Sequence, residues 1–273
     1  WSISRKQRLM EKPNPNYMKQ IPNIFTLFNL FFGCLAIIFC LQTNTVVIYL
    51  DQQYNSSFNI PEKLSWAAIF IIIAAVIDFL DGFLARLLNA TGEMGKQLDS
   101  LSDVVSFGVA PAMIVYQLLR FAFARNENGL ETSIIWLAPA LIIAMAAAYR
   151  LAKFNLSTDQ QYYFKGVPVP AIGLLIASFP LILHFSSFSV INSIILSPLF
   201  LYALILIVSY LMVSNHLMLS LKKGDTAIQK NRPILILFFV ALISAIFLQW
   251  LAVPIVFIFY VIISLFSIKK PAI

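Results

Sequence analysis

The class of structure follows from one stretch of the chain, Leu64 to Leu88, which reads LSWAAIFIIIAAVIDFLDGFLARLL. It contains no charged residue before Asp78, and it is long enough to cross the hydrocarbon core of a bilayer, which takes about 20 helical residues. Asp78, Asp81 and Arg86 follow near its end. The stretch therefore predicts a transmembrane helix that carries ionisable groups close to one membrane surface.

The rest of the chain has the same apolar character. Of its 273 residues, 60% are hydrophobic and 11% are charged, whereas soluble domains have about 25% charged residues. A soluble domain of this composition would expose far too much apolar surface to water. The composition excludes a soluble enzyme, a secreted disulfide scaffold and a disordered protein, and it predicts an all-α integral membrane protein.

Apolar runs along the whole chain predict about eight transmembrane helices and leave no room for a separate soluble domain. The runs are Ile24 to Gln42, Leu64 to Leu88, Leu98 to Phe121, Ser133 to Leu151, Pro168 to Phe185, Leu196 to Val213, Pro233 to Gln249 and Leu251 to Ile268. Only Gln249, Trp250 and Pro254 interrupt the last two runs, which together are too long for one span. Pro254 favours a break there, or the first turn of a new helix.

The basic residues are segregated between alternate loops. Sixteen of the nineteen Lys and Arg residues fall on one side of the predicted helices, and only Lys63, Arg120 and Arg125 fall on the other. Because cytoplasmic loops carry the excess of Lys and Arg, both termini are predicted to be cytoplasmic, including a basic N-terminal segment, residues 1–20. The basic residues form no dense run and are not interleaved with aromatic residues, so their pattern does not indicate a nucleic-acid partner.

Four acidic residues are spaced so that they share two helix faces. They are Asp78, Asp81, Asp99 and Asp103. The first pair lies late in the second predicted helix, in one stripe with Gly82 and Ala85, and the second pair shares a stripe at the start of the third helix. A short turn over residues 89–95 makes these helices antiparallel neighbours, so both stripes converge at one depth just inside the cytoplasmic interface.

Such a group of acids predicts a metal site. Ionisable groups inside a membrane span are costly and usually functional, and four close carboxylates repel one another unless a cation of high charge lies among them. Oxygen-only ligands favour Mg²⁺ or Mn²⁺, and four carboxylates can hold two ions. The alternative is that the acids only solvate a helix end or pair with Lys96 and Arg86.

The two stripes belong to one longer pattern. It reads Asp78-Phe-Leu-Asp81-Gly82-Phe-Leu-Ala85-Arg86, then eight residues, Gly95, three residues, Asp99, three residues and Asp103. This pattern resembles, without departure, the signature of the CDP-alcohol phosphatidyltransferases. These are integral membrane enzymes that transfer a phosphatidyl group from a CDP-linked lipid to an alcohol and release CMP.

The resemblance implies the helical bundle of that family and a di-metal site at the four aspartates. Asp78, Asp81 and Asp99 would hold ions that bridge the pyrophosphate, and Asp103 would bind metal and act as the general base. Asp99 and Asp103 would thus be the catalytic residues. The residues implied for the CDP-linked lipid are Gly82, Ala85, Arg86, Gly95, Asn23, Thr26 and Thr91.

Segments on both sides of the signature resemble the bacterial and archaeal phosphatidylserine synthases of this family. They are Ile21 to Asn29, Tyr149 to Asn155, Phe164 to Pro170 and Leu211 to Ser214. The resemblance covers residues 21–223, a six-helix membrane domain, and weakens in two additional helices within residues 224–273. It implies CDP-diacylglycerol and L-serine as substrates, a homodimer, and the plasma membrane of a prokaryote with the active site at its cytoplasmic face.

A serine acceptor is a zwitterion, so its site needs a cation for the carboxylate and acceptors for the ammonium group. Arg150 and Lys165 fall on the predicted side of the aspartates, and a guanidinium suits bidentate recognition of a carboxylate. The candidates for serine binding are therefore Arg150, Asn155 and Lys165. Ordinary positive-inside topology is the other explanation for the two cations.

Two other functions fit parts of the same pattern. A sibling enzyme that uses glycerol 3-phosphate or an inositol phosphate would need a tighter cluster of cations for its phosphorylated acceptor. A divalent-cation transporter built on the same carboxylates would need intramembrane polar groups continuing toward the opposite face. Apart from scattered residues such as Gln117 and Ser178, the sequence offers no such path.

Overall fold

The computed structural model describes residues 20–43, 48–50, 56–58, 61–88, 92–124, 132–156, 164–185, 188–218 and 232–267. These residues are almost entirely helical, because a helix satisfies its backbone polar groups internally when water is absent. The helices are α1 (Ile21–Leu41), α2 (Glu62–Leu87), α3 (Glu93–Asp103), α4 (Ala110–Ala124), α5 (Ile134–Leu137), α6 (Ile142–Leu156), α7 (Val169–Phe185), α8 (Ser189–Ile195), α9 (Pro198–Val213), α10 (Arg232–Leu248) and α11 (Ala252–Ser267). Each predicted apolar run is helical over nearly all of its length.

The structure supports part of the predicted set of membrane crossings. Among the described residues, five helical segments are long and apolar enough to span a membrane, and a sixth span results if the pair α8 and α9, bent by 62°, is taken as one. The prediction of eight is not confirmed. Helix α7 has only 17 residues, against about 20 for a full span, and α10 and α11 together supply one of the five segments, Leu235–Leu265. The described residues form an almost entirely helical bundle, in agreement with the predicted all-α membrane protein.

The C-terminal apolar segment, Leu235–Leu265, is broken as the sequence predicted. Gln249 has a left-handed φ of 48° within a short 3-10 turn, Gln249–Leu251. Helices α10 and α11 contact each other on either side of this turn. A straight helix would not allow those contacts, since each residue advances the chain by about 1.5 Å.

A π-helix, Val104–Val109, joins α3 directly to α4. It begins at the residue after Asp103, and such wide turns inside α-helices often mark functional sites. Helix α1 packs against α2, α3 and this π-helix. The acidic ends of α2 and α3 are therefore held together by a third helix.

Two short antiparallel ladders, which the sequence did not predict, connect loop segments. β1 (Ile48–Leu50) pairs with β2 (Ser56–Phe58), and β3 (Phe164–Lys165) pairs with β4 (Leu217–Met218). Gly166 adopts a left-handed φ of 77° beside β3, and its N–H donates to the His216 carbonyl oxygen at 2.9 Å. An alanine Cβ at Gly166 would lie 2.5 Å from the Met212 carbonyl oxygen. The second ladder thus fixes the start of α7 next to the end of α9.

The surface of the bundle is apolar. Large side chains such as Phe31, Phe238 and Phe247 are exposed, whereas a soluble monomer rarely exposes extended apolar patches. The core between the helices is built largely from small and aliphatic residues, among them Ala67, Ile71 and Ala74 of α2. Small residues at helix contacts are typical of packing inside a bilayer.

Candidate active site at the acidic cluster

Three carboxyl groups from two helices meet in one cluster. Asp78 of α2 and Asp99 and Asp103 of α3 each place one carboxylate oxygen within 4.8 Å of the others. The carboxyl groups of Asp78 and Asp103 are also within hydrogen-bonding reach of each other, and Asp103 is only 7% exposed. For these three residues the predicted convergence of the two stripes is confirmed.

The cluster fits a divalent cation. Its donors are all carboxylate oxygens, which are the ligands that Mg²⁺ and Mn²⁺ prefer. Two carboxyl groups at hydrogen-bonding distance need a shared proton or a cation between them. The described residues can therefore hold a hard metal ion at this point.

Asp81 lies beside this cluster rather than in it. Its Oδ2 atom accepts a hydrogen bond from Thr26 Oγ1 of α1 at 2.9 Å, and its side chain is 5% exposed. It still interacts electrostatically with Asp99. The four predicted acids thus divide into a cluster of three and a neighbour that Thr26 orients.

Asn29 of α1 also reaches the cluster, although the sequence analysis did not assign it to the site. Its side-chain Nδ2 donates to Asp103 Oδ1 at 3.2 Å. Its backbone carbonyl oxygen accepts a hydrogen bond from Ser106 Oγ of the π-helix at 3.0 Å. Gly33 permits this close approach, because a Cβ there would overlap Ser106. An Asn within an apolar span was the available sequence signal.

A cavity of about 220 Å³ opens beside the cluster. Asp81 and Asp99 form part of its wall. The other wall residues include five of those predicted for the CDP-linked lipid: Asn23, Thr26, Gly82, Ala85 and Gly95. A Cβ added at Gly82 would meet nothing within 4 Å, so this glycine leaves open space next to the acids.

Gly95 belongs to α3 and not to the predicted turn, since the helix begins at Glu93. A Cβ at Gly95 would lie 3.0 Å from Asn23 Oδ1, so the absence of a side chain lets α1 approach the first turn of α3. Lys96 also lines the cavity, although the sequence did not assign it to the lipid site. Its Nζ donates to the backbone carbonyl oxygen of Asn155 at 3.3 Å.

Of the two remaining predicted lipid contacts, only Arg86 is described. Arg86 is exposed at the end of α2 and is not among the residues that line the cavity. Thr91 lies outside the described residues.

Arg150 of α6 approaches the cluster from a further helix. Its side chain is 7% exposed and interacts electrostatically with Asp103. Its Nε has no hydrogen-bond partner among the described residues. A buried, unpaired donor next to a carboxylate is what an anionic ligand group would use.

Of the other two serine-binding candidates, the structure describes the side chain of Asn155 but only the backbone of Lys165. Asn155 donates from Nδ2 to Ser100 Oγ at 2.8 Å, while its Oδ1 is buried without a partner in the described part of the chain. Lys165 is a residue of β3, and its side chain lies outside the described atoms. Helix α6 therefore carries one unpaired donor and one unpaired acceptor.

Comparison with known proteins agrees with this geometry. The family model described as CDP-alcohol phosphatidyltransferase matches residues 19–209. The chain belongs to this family. The prediction of this family from the signature is confirmed. The matched part of the chain ends within α9, so α10 and α11 lie beyond it.

Its curated relatives act on serine according to their names. A CDP-diacylglycerol–serine O-phosphatidyltransferase of Helicobacter pylori (strain J99) is 34% identical over 165 residues, which cover 60% of this chain and 57% of the relative. The Bacillus subtilis protein of that name is 33% identical over 164 residues, covering 59% and 77%. An archaetidylserine synthase of Methanothermobacter thermautotrophicus is 34% identical over 136 residues, covering 48% and 53%. The chain thus spans 57% of the length of the first of these relatives.

Proposed function

We propose that this phosphatidyltransferase moves the phosphatidyl group of CDP-diacylglycerol to the hydroxyl group of L-serine, giving phosphatidylserine and CMP. The observation that carries the proposal is the cluster of Asp78, Asp99 and Asp103 beside a cavity in a bilayer-type helical bundle. The names of relatives at 33–34% identity support serine as the acceptor.

The donor occupies the cavity beside Asp81 and Asp99. Gly82, Ala85 and Gly95 leave room for the cytidine diphosphate group, and Asn23 offers a polar contact at the same wall. Arg86 and Thr91 are further contacts that we assign to the nucleotide, and Thr26 acts through Asp81. The acyl chains remain in the bilayer, because α1 and α2 expose apolar side chains such as Phe28 and Phe79.

Asp78, Asp81, Asp99 and Asp103 are the residues that would hold two divalent cations, Mg²⁺ or Mn²⁺. When bound, these ions offset negative charge on the diphosphate and on the departing CMP. Without such charge compensation, the acids would repel a diphosphate in a medium that screens charge poorly. The oxygen-only donor set supports this assignment.

Asp103 acts as the general base. A hydroxyl group is a poor nucleophile at neutral pH, so its proton must be taken as it attacks. The serine oxygen forms a bond to the phosphorus of the phosphatidyl group, the phosphorus–oxygen bond to CMP breaks, and CMP leaves with that electron pair. The proton moves to Asp103, whose carboxylate Asn29 holds in place, and then to solvent.

Arg150 binds the serine carboxylate, with Lys165 as a second cation, and Asn155 Oδ1 accepts from the ammonium group. The unpaired Arg150 Nε and Asn155 Oδ1 support this assignment. In the described part of the chain a single buried Arg faces the acids, which suits one carboxylate better than a phosphorylated acceptor. The family match likewise does not favour a cation transporter.

We propose the following topology around this site. Eight helices cross the plasma membrane of a prokaryote, with both termini and the active site on the cytoplasmic side. Residues 1–20 form a basic cytoplasmic segment, residues 21–223 form the six-helix catalytic domain, and residues 224–273 add two helices. Two copies associate as a homodimer.

The test of function uses the full chain, purified and returned to lipid vesicles that contain CDP-diacylglycerol. With Mg²⁺ or Mn²⁺ present, release of CMP and formation of the matching phospholipid are measured for serine, glycerol 3-phosphate and inositol phosphate in turn. We expect product with serine only. Faster CMP release with either phosphorylated alcohol would contradict the proposal and favour the sibling activity.

The acceptor assignment has its own variant. Arg150→Ala should raise the serine KM by about ten- to a thousand-fold, the range for losing a charge-assisted pair that is partly or fully buried. The KM for CDP-diacylglycerol should change little, and Arg150→Lys should recover only part of the loss because it lacks the planar fork. Weaker donor binding with an unchanged serine KM would place Arg150 in the donor site instead.

A further inference from the structure

The cavity beside the acidic cluster has one cationic side chain in its described wall. Asp81 and Asp99 are the acids of that wall, and Lys96 is its base. Arg86, the cation of the signature, is exposed on α2 and does not line the cavity. Within the described residues, the positive charge that an anionic ligand would meet in this cavity therefore comes from a residue outside the signature.

Helical spacing places Lys96 on the face of α3 that carries the acids. Lys96, Asp99 and Asp103 are separated by three and four residues within this helix, so they form one stripe. Lys96 lies about one turn nearer the start of α3, where Gly92 and Gly95 also line the cavity. The stripe thus leads from two proposed metal ligands to a cation.

The end of α6 holds the Lys96 ammonium group. The Lys96 side chain is exposed, but its Nζ donates to the backbone carbonyl oxygen of Asn155 at 3.3 Å. Asn155 belongs to the last turn of α6, where carbonyl groups lack helical partners and carry partial negative charge. Its side-chain Nδ2 also donates to Ser100 Oγ at 2.8 Å. Two hydrogen bonds therefore tie α3 to α6 and keep the ammonium group beside the cavity.

The ammonium group has donors to spare. It carries three N–H groups, and in the part of the chain that the structure describes it makes that one hydrogen bond. The distance of 3.3 Å is also longer than the about 2.7–2.9 Å of a strong charge-assisted bond. A Lys side chain binds phosphate as a compact point charge, so the unused donors suit a phosphate oxygen.

We propose that Lys96 binds the diphosphate group of the donor, and that the end of α6 positions its ammonium group for this contact. The inference rests on the proposed function, because it assumes a CDP-linked donor in the cavity. It adds to the acidic stripe a protein cation that offsets charge on the diphosphate from the cavity wall.

Lys96→Gln in the full chain, returned to vesicles that contain CDP-diacylglycerol, tests the inference. The KM for CDP-diacylglycerol should rise by about five- to fifty-fold, the range between a solvated and a partly buried charge-assisted contact. The serine KM should change less than about two-fold, and Lys96→Arg, which keeps the charge, should recover part of the loss. Free CDP should inhibit Lys96→Gln more weakly by a similar factor, whereas cytidine, which lacks the diphosphate, should inhibit both proteins equally.

Lys63→Gln is the matched control. Lys63 Nζ donates to the backbone carbonyl oxygen of Gln42, just after the end of α1, at the same distance of 3.3 Å. It lies in the first turn of α2, at the opposite end of that helix from Asp81. This variant removes the same charge and the same kind of hydrogen bond, and it should leave both KM values unchanged.

A purely structural role for Lys96 gives a different result. If Lys96 only held the end of α6, Lys96→Gln would raise the serine KM through Asn155 and leave the donor KM unaltered. That result, an equal rise in both KM values, or an equal loss of inhibition by CDP and by cytidine would overturn the inference. Failure of the unmodified chain to release CMP with any acceptor would instead refute the proposed function, before any variant is compared.

Discussion

At the residue scale, the decisive feature is that Asp78, Asp99 and Asp103 place their oxygens within 4.8 Å of one another. Changing any one of them to Asn keeps the shape of the side chain but removes one negative charge from the proposed metal ligands. At Asp103 the change also removes the proposed proton acceptor. We expect kcat to fall by at least about 10²-fold, the scale for losing an acid–base or electrostatic group. The rate of CMP release in vesicles measures this, and EDTA should abolish it until Mg²⁺ or Mn²⁺ is added back.

Glu62→Gln provides the matched control for those substitutions. Glu62 is an exposed acid in the first turn of α2, at the opposite end of the helix from Asp78. This variant removes the same charge from the same helix and should keep near-normal activity. Full activity of the chelated protein, or equal losses in Glu62→Gln and Asp103→Asn, would contradict a metal-dependent cluster.

Gly82 tests the donor cavity separately from the cluster. Because a Cβ at this position meets nothing within 4 Å, Gly82→Ala should fold normally, and alanine also favours the helix by about 1 kcal/mol. The methyl group would nevertheless occupy cavity space next to Asp81. The KM for CDP-diacylglycerol should rise at least several-fold, while the serine KM stays unchanged. The melting temperature should stay the same or rise. A donor KM equal to that of the unmodified chain would mean that the lipid does not enter this cavity.

At the element scale, the contact between α1 and the π-helix sets the geometry of Asp103. A Cβ at Gly33 would lie 2.8 Å from Ser106 Cα, so Gly33→Ala must push the two elements apart. Overpacking of this kind destabilises by about 1–3 kcal/mol, and it would also move Asn29 away from Asp103. We expect a lower melting temperature together with a lower kcat.

Cys34→Ala is the neighbouring control, because Cys34 is exposed on α1 and does not face Ser106. It should change neither the melting temperature nor kcat. Unaltered activity in Gly33→Ala would show that the approach of α1 is not needed to orient Asp103.

Much of this site was predictable because it depends on helical spacing. The intervals between Asp78, Asp81, Asp99 and Asp103 place them on two stripes, and a short connection forces the two helices together. The separation of Asp81 from the other three was not predictable, since it depends on a hydrogen bond from Thr26 on a helix far away in sequence.

The helical class and most helix bounds were also predictable, since long apolar runs in a bilayer must be helical. The lengths of α7, α10 and α11, which have 17, 17 and 16 residues, were not predictable, because composition does not say how short helices tilt or pack. The π-helix after Asp103 had no sequence signal. It arises where Gly33 lets α1 and Ser106 come close.

At the scale of the whole molecule, the proposed orientation predicts which surfaces face each aqueous phase. Cys34 and Cys40 are the only native cysteines and are first replaced by alanine. Cysteines introduced at Ser56 or Asn128 should then react with an impermeant thiol reagent from outside intact cells, and one at Lys96 should react only after permeabilisation. The extent of labelling is read by mass shift, and labelling at Lys96 from outside would reverse the orientation and the side of the active site.

The exposed apolar flank of α1 and α2, next to a cavity that ends at the acids, has a kinetic consequence for the donor. If CDP-diacylglycerol is the donor, as proposed, and its acyl chains never leave the bilayer, the protein meets it by lateral diffusion within a two-dimensional film. The quantity that governs saturation is then the mole fraction of donor among the surrounding lipids, and not its amount per volume of solution. Diluting the film with inert lipid at a constant total amount of donor would slow the enzyme, while serine, which arrives from water, would still obey its ordinary bulk concentration.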